Sequence, residues 1–393
     1  METCIFKKND KTLSKKLKIR ISNLQLRRSE TFVATRVNTR RELRRSDLLI
    51  TQLLTLMKTK NPLLFIASII ILMSINSFSV TRNSETIYTV SKDGKSDFKT
   101  IQEAVNAAGE KLDPKTKIII RKGTYREKIT VPATKGAICF EGESATETII
   151  VNDDFASKKN TEGKEMGTTG SSTIFIFSDN FSARNITFQN DAGRVGQAVA
   201  VLITGDKAIF ENCRFLGFQD TLYLKGEQDV PTPKREIRHF FKNCYIEGTT
   251  DFIFGAATAV FTDCTIYAKE SATYLTAAST PENSKYGFVF IDCKIEGDAK
   301  PKSVYLGRPW RPFAKTVFIN TDISNVIKPE GWHNWNKPDA EKTTFYTEYS
   351  SKGIGADKEK RVSWSHQLSK KEAREYSIKN ILSGKDNWNF KIE

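Results

Sequence analysis

Hydrophobic residues in this chain come in short bursts. Beyond Val80, runs such as Ile118-Ile119-Ile120, Thr148-Ile149-Ile150-Val151, Ile174-Phe175-Ile176-Phe177 and Ala198-Val199-Ala200-Val201-Leu202 are separated by Gly, Asn and Asp. β-branched and aromatic runs bounded by turn formers predict strands. One early stretch behaves differently. From Thr100 to Ala108 the apolar residues recur at helical spacing, and Thr100 with Glu103 can form a capping box. This predicts a short N-terminal helix that covers one end of a sheet and hides its edge.

The bursts contain an internal repeat. Phe210-Glu-Asn-Cys-Arg-Phe215 recurs from Phe241, Phe261 and Phe290, with a degenerate copy from Phe318, at intervals of 31, 20, 29 and 28 residues. A fixed motif at irregular intervals suits a solenoid whose strands repeat while its loops vary. A β-sandwich could hold such strands but gives the motif no reason to recur. The predicted fold is therefore all-β, a right-handed, single-stranded parallel β-helix with a short N-terminal capping helix. Phe, Cys and Ile should point inward and stack from coil to coil, with Asn or Asp at a bend between them.

Extending the repeat brings carboxylates together. Phe210 to Asp220 aligns without a gap on Phe241 to Asp251, so Asp220 and Asp251 should be neighbours on adjacent strands, about 4.8 Å apart. The copy from Phe261 carries Ser271 at that position, so the fold does not require an acid there. Two such close carboxyls cannot both ionise cheaply; one should be an acid and the other a charged nucleophile or base. Solvated turn aspartates are the plain alternative. In Tyr305-Leu306-Gly307-Arg308-Pro309-Trp310, a guanidinium and an indole sit in a stiff turn. An arginine would keep one carboxylate ionised, and an exposed indole offers a sugar ring a face.

These residues carry a resemblance to the pectin methylesterase family across almost all of 88–390. The matching elements are Asp93-Gly94 with Asp97 to Gln102, Gly123 to Glu127, Gln197 to Ala200, Gln219 to Tyr223, Gly248 to Gly255, Tyr305 to Trp310 and Gly331-Trp332. The resemblance implies that Asp251 is the nucleophile, Asp220 the general acid/base, and Gln197 and Gln219 the oxyanion donors. It further implies that Arg308 orients the nucleophile and that Trp310, Phe254 and Tyr223 line the sugar cleft. The substrate would be methylesterified pectin, with no cofactor. Two departures stand out: a long segment from Leu224 to His239, and Arg194-Val195-Gly196 before Gln197 in place of a His-containing approach. The second, with no helical inhibitor-like segment ahead of the catalytic part, gives the chain a bacterial look.

Charge and cysteines then narrow the picture. The net charge of +15 is concentrated ahead of the repeats: residues 1–56 carry +9, whereas the chain from Val80 carries only +4. A nucleic-acid reader therefore loses its main support. Met57-Lys58-Thr59-Lys60, the apolar run Leu63 to Ile75 and the small residues Ser77 and Ser79 describe a secretory signal peptide. The apolar run is shorter than the roughly 20 residues of a spanning helix. Residues 1–56 are expected to be an upstream gene-model artefact or a basic extension, 57–79 the signal peptide, and 80–393 one catalytic domain. The mature protein should then be secreted or periplasmic, monomeric and free of stable membrane association. Cys213, Cys244, Cys264 and Cys293 share one motif position, which predicts packing rather than disulfides. With three scattered histidines and no CxxC pair, no metal site is expected. Two other functions share the fold: a β-helix lyase or glycosidase, and a non-catalytic carbohydrate-binding solenoid.

Overall fold

The structure is a computed structural model and describes residues 85–390. The expected extension 1–56 and signal peptide 57–79 lie outside the described residues. Three sheets of eleven, seven and eight strands carry the fold, and neighbours in each sheet are successive coils rather than successive strands. Neighbouring strands run parallel, as in Phe241 beside Phe210 and Ile246 beside Ile266. Each full coil gives one strand to each sheet and then climbs to the next. This is the right-handed parallel β-helix that the repeat predicts, since parallel crossovers take that hand.

The repeat residues do what their pattern requires. Phe210, Phe241, Phe261, Phe290 and Phe318 stack in one interior column, with successive centroids 5.0, 4.7, 4.5 and 4.5 Å apart. Phe215, Ile246, Ile266, Ile295 and Ile323 form a second buried column. Burying side chains of this size is worth about 1.5–3 kcal/mol each before entropy is counted. Cys139, Cys213, Cys244, Cys264 and Cys293 are buried free thiols. The bend residues Asn212, Asn243, Asp263, Asp292 and Asn320 all have left-handed backbone, with φ from 51° to 55°. Asn and Asp tolerate that conformation better than other residues with a Cβ. A further copy, Ala183-Arg184-Asn185-Ile186-Thr187-Phe188, escapes the sequence pattern because Ala and Ile stand where the motif has Phe and Cys. Ala183 nevertheless pairs with Phe210, and Asn185 makes the same bend at φ 57°.

The capping helix spans Ile101–Ala107 and turns Ile101, Ala104 and Val105 inward. Thr100 and Glu103 close the capping box, and the Glu127 carboxylate accepts the free N–H groups of Ile101 and Gln102. At the other end of the chain lies an element the pattern does not announce. The helices Lys370–Ala373 and Ile378–Leu382, followed by Trp388 and Phe390, lie against the outer face of the eleven-stranded sheet. Buried Arg238 ties this strap down, pairing with Asp206 and Asp386 and donating to the carbonyls of Leu382 and Ser383. With that face covered, the outer face of the seven-stranded sheet carries the candidate chemistry.

Candidate active site

Two coils place the paired carboxylates. Leu222 pairs with Ile253 and Tyr223 with Phe254, a register that sets Asp220 beside Asp251. Asp220 N–H donates to the Thr250 carbonyl at 3.0 Å, which anchors the first aspartate to the second coil. Both turn on left-handed backbone, with φ 67° and 50°. The glycine three residues before Asp251 is a packing demand. A Cβ on Gly248 would come within 2.2 Å of the Phe252 Cβ and 2.6 Å of the Phe218 carbonyl.

Ser271 is placed differently from the gapless alignment. It has the same backbone, φ 66°, but Ile253 pairs with Thr276, not Thr273. Four extra residues enter that coil before Tyr274 and a bulge between Thr250 and Ile253 takes one back, so Ser271 is not the stacked counterpart of Asp251. The site therefore ends at two aspartates because the coil itself changes length.

Both carboxyls are nearly buried, Asp220 at 7% and Asp251 at 6% exposure. Their surroundings differ. Arg308 donates to both oxygens of Asp251, Nε to Oδ1 at 2.9 Å and Nη2 to Oδ2 at 2.6 Å. Among the described residues, no side chain hydrogen-bonds or ion-pairs with Asp220. Burial pushes Asp220 well above the usual carboxylate range, the charge of Asp251 pushes it further, and Arg308 offsets part of this. Burial also raises Asp251, but there the two Arg308 bonds and its charge pull back. The ordering follows from that asymmetry: Asp220 keeps its proton to higher pH than Asp251.

The remaining candidates gather around this pair. Gln197 and Gln219 form a parallel bridge between neighbouring coils, with the Gln197 carbonyl held by Ala156 N–H at 2.9 Å. Among the described residues neither glutamine amide has a hydrogen-bond partner, so both can donate outward. Tyr223 and Phe254 stack at 4.2 Å, and Trp310 lies 6.1 and 5.8 Å from their centroids. The structure thus brings together all eight residues singled out in the sequence. It adds Phe175 and Phe177 to the same outer aromatic face, where the hydrophobic run predicts the strand but not its use. It also adds Tyr274 and Trp335, which cover the two faces of the Arg308 guanidinium. Nothing in the sequence spacing marks these two. Trp332, quoted above in Gly331-Trp332, instead packs inside the solenoid on Tyr346.

The long segment from Leu224 to His239 lies along one rim of this face. Ser279 Oγ donates to Gln228 at 3.2 Å, and Asp229 pairs with Arg311, the neighbour of Trp310, at 2.7 Å. Among the described residues, no group of three or more His, Cys, Asp or Glu is arranged to hold a metal.

Comparison with known proteins resolves the family. The family described as Pectinesterase matches residues 87–385. Putative pectinesterase 11 of Arabidopsis thaliana is 36% identical over 312 residues, covering 78% of this chain and 82% of that protein. The chain belongs to the pectinesterase family. Pectinesterase 31 of the same plant is 38% identical over 291 residues, 72% of this chain and 88% of its own length. Among solved structures, pectin methylesterase from carrot superimposes with a TM-score of 0.67 at 36% identity, covering 76% of this chain and 93% of its own. Pectin methylesterase PemA from Erwinia chrysanthemi gives 0.65 at 32% identity, over 77% and 97%. As a pectinesterase the chain is a carboxylic ester hydrolase. The bacterial look of the Gln197 approach finds no support in the Arabidopsis relatives.

Proposed function

We propose that this pectinesterase hydrolyses the C6 methyl esters of polygalacturonate, with Asp251 as nucleophile and Asp220 as general acid and base. The observation that carries the reading is the asymmetry of the pair: Asp251 is held by two bonds from Arg308, whereas the buried Asp220 carboxyl has no hydrogen-bond partner among the described residues. An ionised Asp251 oxygen attacks the ester carbonyl, and the Gln197 and Gln219 amides donate to the oxyanion as its charge develops. Collapse breaks the bond to methoxide, which takes the Asp220 proton and leaves as methanol. Asp251 is now joined to the sugar carboxyl as an anhydride. Ionised Asp220 then removes a proton from water, whose oxygen attacks the anhydride and releases the free acid and the Asp251 carboxylate. Trp310, Phe254 and Tyr223 offer apolar faces to the sugar rings on either side.

The test is methanol release from highly methylated pectin by residues 80–393, beside Asp251→Asn and an assay of polymer length. Methanol formed without chain shortening, and lost in the variant, supports the reading. Shortened chains without methanol would move the protein to the lyases or glycosidases. Binding without either product would leave a carbohydrate-binding solenoid.

We propose further that Met57 to Ser79 is a signal peptide and that the mature enzyme acts outside the cytoplasm as a monomer. The signal's basic start, apolar run and small residues support this. Among the described residues, no helix is long and apolar enough to cross a membrane. An exported protein whose first residue is Val80 is the expected result of N-terminal sequencing.

A further inference from the structure

Arg308 is enclosed on three sides. One edge of its guanidinium meets Asp251, and its two faces meet aromatic rings. The carbon Cζ lies 3.9 Å from the Tyr274 centroid and 3.6 Å from that of Trp335. A guanidinium stacks well on aromatic faces, and a ring on each side removes its freedom to rotate out of plane.

Trp335 reaches this position through an unusual loop. Trp335 and Asn336 both have left-handed backbone, φ 57° and 55°. For an ordinary L-residue that conformation costs roughly 1–2 kcal/mol. Four bonds hold the loop there. His333 Nδ1 accepts Trp335 N–H at 3.2 Å, and Asn334 accepts Asn336 N–H at 2.9 Å. Asn334 donates to Glu341 at 2.7 Å, and Lys337 donates to the Trp310 carbonyl at 3.2 Å. A local conformation kept against its own preference at a site points to a use for the side chain it presents.

We propose that Trp335 and Tyr274 are positioning residues that clamp Arg308 in the plane where both of its donors meet Asp251, and so fix the nucleophile for attack. This inference rests on Asp251 being the nucleophile. Neither ring touches the Asp251 carboxylate in the way Arg308 does; their effect passes through the guanidinium.

The groups that face the pair are few. Asp220 comes from the preceding coil, Arg308 from the second coil beyond, and buried Tyr346 from inside the solenoid. Around Arg308 stand Tyr274, Trp335, His333 and Lys337, with Lys328 near His333 over the Tyr305 ring. Burial, with Arg308 and Lys328 nearby, pushes the His333 imidazole below its usual range, so it is neutral at neutral pH. Loosening Arg308 weakens the one interaction that favours ionised Asp251, which raises the pH at which Asp251 ionises. The acid limb of kcat/KM reports ionisations of the free enzyme, so that limb should move upward.

The experiment measures kcat and KM for methanol release across pH for the wild type, Trp335→Leu, Trp335→Phe, Tyr274→Leu and Asp251→Asn, with thermal melting beside each. Trp335→Leu and Tyr274→Leu are expected to move the acid limb up by about one pH unit, a tenfold loss of kcat/KM below it. Trp335→Phe restores a ring and should return most of the wild-type profile. A Leu variant that melts normally, keeps the wild-type limb and only raises KM would make Trp335 a sugar contact and overturn the clamp. If one Leu variant fails to fold, the other Leu variant and Trp335→Phe still decide. Activity surviving in Asp251→Asn would bring down the nucleophile assignment itself, whatever the clamp variants show. An inactive Asp251→Asn with unmoved limbs in both Leu variants would bring down the clamp alone.

Discussion

Through the middle of this solenoid each coil turns twice on a left-handed residue that is not glycine. The first turn carries Asn212, Asn243, Asp263 and Asp292; the second carries Asp220 and Asp251, and in the next two coils, offset by a longer connection, Ser271 and Lys302. The backbone is alike, but the side chains are chosen differently. At the first turn they are always Asn or Asp, they face solvent, and they form a ladder in which Asn212 donates to Asn185 at 2.6 Å. Local conformation and neighbour contacts account for that choice. Where the longer connection shifts the second turn, Ser271 and Lys302 hold left-handed backbone in the open, so that conformation does not call for a carboxyl. Burying two carboxyls at that turn therefore serves something other than folding. The comparison separates a structural acid from a chemical one with no appeal to family.

The sharpest way to break the comparison is to remove one member from each turn. Asp251→Asn keeps size and tolerance of left-handed backbone, so the fold should hold while methanol release falls by at least about a thousandfold. Asn243→Ala should do the reverse. It places alanine at φ 51° and removes a ladder side chain, costing about 1–2 kcal/mol in denaturant unfolding. Activity per folded molecule should not change. Loss of activity in Asn243→Ala with its fold intact would dissolve the distinction between the turns.

A second test uses the cost of the buried acid. Asp220 titrates above its ordinary range because it is buried beside Asp251. Between the unfolded and folded pKa values the native state binds more protons than the unfolded chain, so stability falls as pH rises through that window. Asp220→Asn removes the titration. It should abolish most turnover yet melt higher than the wild type at neutral pH, with the gap closing below the ordinary carboxylate range. A variant that melts lower at neutral pH would mean that the buried carboxyl stabilises the fold.

How far the sequence shows this arrangement depends on what each residue is stacked against. The first-turn ladder was legible because its neighbours repeat: Phe, Asn or Asp, and Cys recur in phase, so even the coil order can be read. The pairing of Asp220 with Asp251 was legible for the same reason. Ser271 was misplaced because three residues entering before Thr276 leave no mark on hydrophobic periodicity. Tyr274 and Trp335 went unseen because they meet only through Arg308, from separate coils and a loop with no repeat partner. The strap from Lys370 to Phe390 was equally silent, since its apolar residues are few and only meet the sheet face after the solenoid exists.

The smallest effect lies within the ladder and tests whether its acids have any function. Asp263 and Asp292 stand on neighbouring coils, both exposed, and the Thr262 and Ile291 beside them are directly paired. Like charges on adjacent strands repel weakly in water. Asn320 donates to Asp292 at 3.1 Å, and an asparagine there keeps the accepting oxygen. Asp263→Asn and Asp292→Asn should therefore each stabilise the protein by no more than about 0.5 kcal/mol. Added salt should erase the gain, because exposed charges are screened within about 8–10 Å. Methanol release should match the wild type. A change in activity would give these exposed acids a function that their solvation and ladder contacts do not suggest. A stability change that persists in high salt would place its cause in backbone preference, Asn then holding the left-handed turn more readily than Asp.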